Sequence, residues 1–170
     1  MILHLLRISI FTAALLGVHS SRATGQVFDL TGAWAGKLTC KTANAGVKTV
    51  VSTTPAVTIS QNGNAIGVRV DFGAGVVEQY TGLANPDGKK PDTKGEFGLI
   101  RCGTDSVAGG TVPPADEIGR FTVTTKPAPA IKATFKGTSV FSEAQRIGTC
   151  SWKWTRTAVG DPGVATSCAS

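Results

Sequence analysis

The chain has almost no histidine. Its two histidines are His4 and His19, and both lie in an N-terminal segment that we expect to be removed during export. Histidine is the commonest general base and the commonest metal ligand in proteins. The rest of the sequence therefore excludes Ser–His and Cys–His nucleophilic sites and histidine-based zinc sites, and we expect a protein that is not an enzyme and carries neither metal nor cofactor.

Acidic residues are few and scattered. Glycosidase chemistry requires two carboxylates that face each other across a cleft, and the spacing places no pair on one inward face. The adjacent Asp116 and Glu117 point in opposite directions if they lie in a strand. The other acids considered are Asp71, Glu78, Glu96, Asp105 and Glu143.

The sequence has only one substantial apolar run, and it lies at the start. Arg7 precedes the apolar residues 8–18, and Ser21-Arg22-Ala23 fits a small-x-small cleavage site. We predict a signal peptide at residues 1–23 and a single domain at residues 24–170, exported to the periplasm or the extracellular space. The alternative is a buried N-terminal helix. No later apolar run reaches about 18 residues, so we expect no membrane insertion.

The positive charge is mild and dispersed. Removal of Arg7 and Arg22 takes the formal net charge from +6 to +4. The only basic doublet, Lys89-Lys90, lies in a loop, and no basic cluster is interleaved with aromatic residues as in a nucleic-acid platform. We expect a solvated cationic surface and no nucleic-acid partner. Attraction to anionic envelope or cell surfaces is the alternative.

Alternating apolar residues and turn signals predict an all-β protein. No window favours helical spacing, and a helical turn has room only around residues 142–146. Asn62-Gly63 is a hairpin signal. We predict an eight-stranded antiparallel up-and-down barrel, closed by its first and last strands, with a flexible C-terminal tail from about residue 158. The predicted strands are 32–42, 56–61, 65–72, 76–84, 95–102, 118–125, 131–142 and 147–157.

The two ends of the barrel sequence predict a sealed bottom. Trp34 follows Gly32 at the start of the first strand, while Trp154 and Arg156 lie near the end of the last one. An indole fills the narrow end of such a barrel, and a guanidinium over its face adds about 0.5–2 kcal/mol. We interpret Trp34, Trp154 and Arg156 as a structural plug.

An even number of cysteines in an exported chain predicts two disulfides. If Trp34 lies opposite Arg156, antiparallel pairing brings Cys40 beside Cys150 on the same face, which leaves Cys102 to pair with Cys168. The main alternative joins Cys40 to Cys102 and Cys150 to Cys168. A four-thiolate zinc site is disfavoured because the cysteines are 62, 48 and 18 residues apart.

The sequence Leu-Thr-Gly-x-Trp at residues 30–34 resembles the first strand of avidins, and Gly-x-Trp with a late arginine resembles lipocalins. Together these families form the calycin-like barrels. The resemblance implies that Trp34 and Arg156 form the bottom plug. The second lipocalin signature, Thr-Asp-x-x-Tyr, is absent, and the polar residues with which avidins hold biotin have no match. The ligand of neither family therefore carries over.

The alternation in the last strands places large rings inside the barrel. An eight-stranded barrel is just wide enough for side chains or one small ligand. Trp152 lies above Trp154, so we predict that Trp152 forms a stacking wall, with Phe135 on the neighbouring strand and Tyr80 as a polar handle. The predicted function is non-catalytic binding of a small apolar or ring-bearing molecule. The alternative for Trp152 and Trp154 is ordinary core.

A protein partner is the second functional hypothesis. Bacterial metalloprotease inhibitors also open with a Gly-x-Trp strand, and an inhibitor of a protease or a lysozyme would use loops such as residues 103–114. A filled barrel interior favours this hypothesis, and a structural envelope protein is a third. We expect no belt of apolar residues that faces lipid, as in an outer-membrane barrel, because the outward face carries cations. These are Lys37, Arg69, Lys132, Lys136 and Lys153.

Overall fold

The computed structural model describes residues 28–102, 106–107, 110–111, 115–125, 133–143 and 146–168. The predicted signal peptide lies outside these ranges, as do Lys132 and the start of the seventh predicted strand. The described residues form eleven β-strands and no helix, and hence no helix capable of crossing a membrane. The strands are β1 (Gly32–Asn44), β2 (Val47–Thr53), β3 (Ala56–Asn62), β4 (Ala65–Gly73), β5 (Val76–Pro86), β6 (Lys94–Arg101), β7 (Ser106–Val107), β8 (Gly110–Thr111), β9 (Ala115–Thr125), β10 (Ala133–Glu143) and β11 (Arg146–Ala158).

Eight of these strands close into one antiparallel barrel. Their order is β4-β3-β1-β11-β10-β9-β6-β5, and pairing of β4 with β5 completes the circuit. The first and last strands pair with Trp34 opposite Arg156, as the sequence predicted. The hairpin at Asn62-Gly63 is also confirmed, because Asn62 lies opposite Ala65 at the β3–β4 turn.

Two local predictions are wrong. No strand was predicted at β2, which pairs with the upper half of β1 beyond the barrel wall; its residues are almost all exposed, so they show no inside–outside alternation. The predicted loop at residues 103–115 contains the short strands β7 and β8 and the first residue of β9. The turn considered at residues 142–146 falls partly on residues 144–145, which lie outside the described ranges; β10 runs to Glu143 and β11 begins at Arg146.

Aromatic side chains fill the barrel interior. Phe97 stacks on Phe121 with ring centroids 4.8 Å apart, and Phe135 lies 5.0 Å from Trp34. Such pairs add to the hydrophobic gain of burial. The interior is therefore a packed core and not an empty cavity. Its fully or almost fully buried rings are Phe28, Trp34, Tyr80, Phe97, Phe121, Phe135, Trp152 and Trp154.

The residues before β1 cover the narrow end of the barrel. The Trp34 indole N–H donates to the Leu30 carbonyl at 2.9 Å, and Arg156 Nη1 donates to the Asp29 carbonyl at 2.8 Å. The Arg156 guanidinium lies 5.8 Å from the Trp34 ring centroid, within cation–π range. Phe28 lies over Gly95, where any Cβ would overlap its ring. This end of the barrel is closed.

Both predicted disulfides are confirmed. Cys40 pairs with Cys150 between β1 and β11, and Cys102 pairs with Cys168. The alternative connectivity and the zinc site are therefore wrong. Two disulfides agree with an oxidising, exported environment.

The segment after Ala158, predicted to be a flexible tail, lies along the outside of the barrel. We call residues 159–168 the C-terminal strap. Ser60 donates a hydrogen bond to the Asp161 carboxylate and accepts one of 2.8 Å from the Val164 amide. Gly67 has no side chain, and a Cβ there would overlap the Ala165 carbonyl. The strap ends at the Cys102–Cys168 disulfide.

Replacement of the bottom indole is expected to destabilise the whole barrel. Trp34→Ala removes a buried ring that contacts Phe135 and lies beneath Arg156, so the free energy of unfolding should fall by about 3–5 kcal/mol. Denaturant unfolding measures this change. The control Val159→Ala alters an exposed strap residue and should change stability by no more than about 0.5 kcal/mol. Equal stability of Trp34→Ala and the native protein would contradict the assigned plug.

Candidate functional site

Two of the three predicted ligand-binding residues meet near the upper end of the barrel. The rings of Tyr80 and Trp152 are perpendicular, with centroids 6.0 Å apart. Phe135 lies lower, packed against Trp34 and Trp154. The exposed fractions are 2% for Tyr80 and 3% for both Trp152 and Phe135. All three rings contact other side chains of the core.

A buried polar cluster joins Tyr80 to Trp152. The Tyr80 hydroxyl lies 2.6 Å from Glu78 Oε2 and 2.9 Å from Glu117 Oε2. Ser139 donates to Glu117 Oε1 at 2.6 Å and accepts from the Trp152 indole N–H at 2.9 Å. A continuous chain of hydrogen bonds therefore crosses the barrel above the aromatic core.

A single arginine faces both carboxyl groups of this cluster. Arg101 Nη1 lies 3.3 Å from Glu78 Oε1 and 3.7 Å from Glu117 Oε2. The side chains of Arg101 and Glu117 are only 2% and 4% exposed, whereas that of Glu78 is 20% exposed. A buried charge is tolerated only when it is paired and hydrogen-bonded. The carboxyl groups of the cluster accept hydrogen bonds and face the guanidinium, and the cluster joins β5, β6, β9, β10 and β11.

The expectation that no two acids share an inward face is wrong for Glu78 and Glu117. The signal was present in the alternation, since Glu117 has the same parity as the buried Phe121 and Arg101 has the same parity as the buried Leu99. The Tyr80 hydroxyl occupies the space between the two carboxyl groups. A glycosidase would place the sugar there.

An apolar depression lies on the outside of the barrel, across β5, β6, β9 and β10. We call it the wall groove. Ile118 on β9 lies directly between Ile100 on β6 and Val140 on β10, and Leu83 lies opposite Gly98. The four apolar side chains are each more than half exposed. The groove encloses about 1070 Å³.

Polar groups surround the wall groove. Arg120 forms an ion pair with Glu96 at one side, and Thr138 lies on β10. The strap contributes Thr166 and Ser167 at the other side. Cations were predicted on the outer face, and Lys37, Arg69, Lys136 and Lys153 are exposed. The outward parity of the apolar Ile100, Ile118 and Val140 was missed.

Neither region contains a site suited to a metal ion. Among the described residues, no group of three or more histidine, cysteine, aspartate or glutamate side chains is arranged to hold one. The buried cluster presents two carboxyl groups, two hydroxyl groups, one indole N–H and one guanidinium. The chemistry of the wall groove is that of an exposed apolar surface with a polar edge.

The Tyr80 phenol should remain protonated at unusually high pH. Burial raises its pKa well above the usual value of about 10, and the nearby Glu78 and Glu117 carboxylates raise it further. The unfolded chain loses this proton above about pH 10 while the folded protein keeps it, so the free energy of unfolding should fall as the pH rises beyond that point.

Tyr80 is the only tyrosine in the sequence, so the near-ultraviolet absorbance of tyrosinate reports on it alone. The folded protein should show no tyrosinate signal at a pH where the denaturant-unfolded control is half ionised. Any ionisation should coincide with loss of the folded circular dichroism signal. Ordinary ionisation of Tyr80 in a protein that remains folded would show that the cluster is wrongly assigned.

No protein-family model matches the chain, and no match was found among curated proteins or solved structures. The chain is an eight-stranded antiparallel β-barrel compatible with a calycin-like fold.

Proposed function

We propose that this protein is an exported, non-catalytic binding module that docks a partner protein in its wall groove. The observation that supports this proposal is a contrast between inside and outside. The rings predicted to line a ligand site are at most 3% exposed, whereas Ile118 and Leu83 in the groove are 65% and 67% exposed.

The composition of the groove resembles a protein interface. Such interfaces have an apolar centre depleted in charge and a polar, solvent-accessible rim. Ile100, Ile118 and Val140 form the centre here, while Arg120 and Glu96 lie on the rim. Contiguous exposed apolar patches on soluble proteins commonly mark contact sites. Sites for small molecules usually bury most of the ligand surface, which an open groove on a barrel wall does poorly.

The partner surface should present apolar side chains to this groove. Gly98 is exposed and lies between Leu83 and Arg120 in the cross-strand row, so the absence of a side chain leaves a hollow at the centre. One protruding aliphatic or aromatic side chain fits such a hollow. The barrel wall is rigid, and a preorganised surface binds without losing much conformational entropy.

The disulfide to the strap contributes directly to the groove. Cys168 and the preceding Thr166 and Ser167 form one side, and the Cys102–Cys168 bond holds them there. Closure of the 66-residue loop stabilises the fold, and in this proposal it also completes the binding surface. The buried polar cluster has a structural role, because the Tyr80 hydroxyl fills the space between its carboxyl groups.

A photo-crosslinking amino acid tests the groove in the exporting host. Placed at position 118, at the centre of the groove, it should form one discrete adduct with a second protein. The combined variant Ile118-crosslinker with Val140→Lys should lose that adduct, because a charge in the apolar centre opposes docking. The matched control carries the crosslinker at Thr49, which is exposed on β2 outside the groove.

Equal adducts from positions 118 and 49, or no adduct from position 118, would overturn the wall-groove proposal. Native mass spectrometry on the same purified protein supplies the competing outcome. A small molecule retained by the native protein and lost in Trp152→Ala would favour interior ligand binding instead.

A further inference from the structure

A second part of the outer wall carries three lysines in direct cross-strand register. Lys153 on β11 lies opposite Lys37 on β1 and opposite Lys136 on β10. We call these three residues the lysine row. All three side chains are exposed. In the part of the chain that the structure describes, none of them forms a salt bridge.

This arrangement is unfavourable for the isolated fold. Like charges directly opposite each other on neighbouring strands destabilise a sheet. Adjacent strands are about 4.8 Å apart, which is shorter than the screening distance of about 8 Å at physiological ionic strength. The same row continues to the neutral Thr122 on β9, so an uncharged side chain suits this wall. Within the described chain, no contact explains why lysines and not neutral residues occupy these three positions.

Hydroxyl groups flank the lysine row on both sides. Thr134 and Thr155 form a cross-strand pair one step below Lys136 and Lys153, and Thr138 and Ser151 form another pair one step above. A shallow pocket of about 290 Å³ lies beside Lys136 and Lys153, and Thr134 and Thr155 contribute to its lining. Hydroxyls donate hydrogen bonds to anionic oxygens. The surface thus offers ammonium groups surrounded by further donors.

We propose that the lysine row binds a linear anionic polysaccharide that lies across the strands. Sulfate or carboxylate groups on successive sugar units would meet the lysines in turn, because the three lysines lie side by side on three adjacent strands. An anionic occupant also neutralises the repulsion within the row. This site adjoins the wall groove at Thr138 but does not depend on a protein partner there.

Binding of heparin, a sulfated linear polysaccharide, to the native protein at physiological ionic strength tests the proposal. Lys153→Gln removes the central charge and should weaken binding about fivefold, the factor that corresponds to about 1 kcal/mol for one lysine near an anionic surface. The dependence of affinity on salt should become shallower. The matched control Lys48→Gln removes an exposed charge from β2, opposite Ala43, and should change affinity less than about twofold.

Thermal unfolding supplies an independent measurement. Lys153→Gln should raise the Tm at low salt because it relieves repulsion from both neighbours, whereas Lys48→Gln should leave the Tm unchanged. A gain in stability together with a loss of polyanion affinity supports the proposal.

Three results would overturn it. These are absence of heparin binding at physiological ionic strength, equal weakening by Lys153→Gln and Lys48→Gln, and binding to vesicles of anionic lipid without binding to heparin. The crosslinking result at position 118 is unaffected by any of them, so the two proposals fail separately.

Discussion

The seam between β1 and β11 fixes the rest of the structure. Its register runs from Trp34 opposite Arg156 to Asn44 opposite Arg146. That register places a guanidinium over the bottom indole, Cys40 beside Cys150 and Lys37 beside Lys153. Side chains alternate between the two faces of a strand, so a slip by one residue would turn every inward group outward. The seam therefore determines the plug, one disulfide and one outer surface together.

The sequence was most informative where one face of a strand is buried. Alternation located the eight barrel strands, and the distance from Trp34 and Arg156 to the cysteines predicted the Cys40–Cys150 disulfide, which left Cys102 to pair with Cys168. It failed for β2, because nothing buries either face of residues 47–53. The pairing of Glu78 with Glu117 was missed for a different reason. Their strands, β5 and β9, are not neighbours. The two carboxyl groups come together only because the closed barrel brings both of them to the hydroxyl group of Tyr80.

The wall groove and the lysine row can be recognised only from the register of several neighbouring strands. Ile118 alone is an unremarkable exposed residue, and scattered exposed apolar side chains need no explanation. It becomes part of a surface only because Ile100 and Val140 flank it. Lys153 likewise gains its significance from its two neighbours. The packed interior and the varied outer surface are the reasons for which we place both proposed sites on the wall.

Closure of this barrel also constrains how the chain folds. Strand β1 gains its second neighbour in the barrel only when the last strand, β11, pairs with it. The two disulfides join residues that are 110 and 66 positions apart. Folds dominated by such distant pairings form slowly, because the entropy of loop closure is lost before the contacts are made. Until β11 and the strap arrive, the edge of β1 and the apolar interior are open to other chains. Almost the whole chain must therefore be available for folding before the edge of β1 and the apolar interior are shielded from other chains.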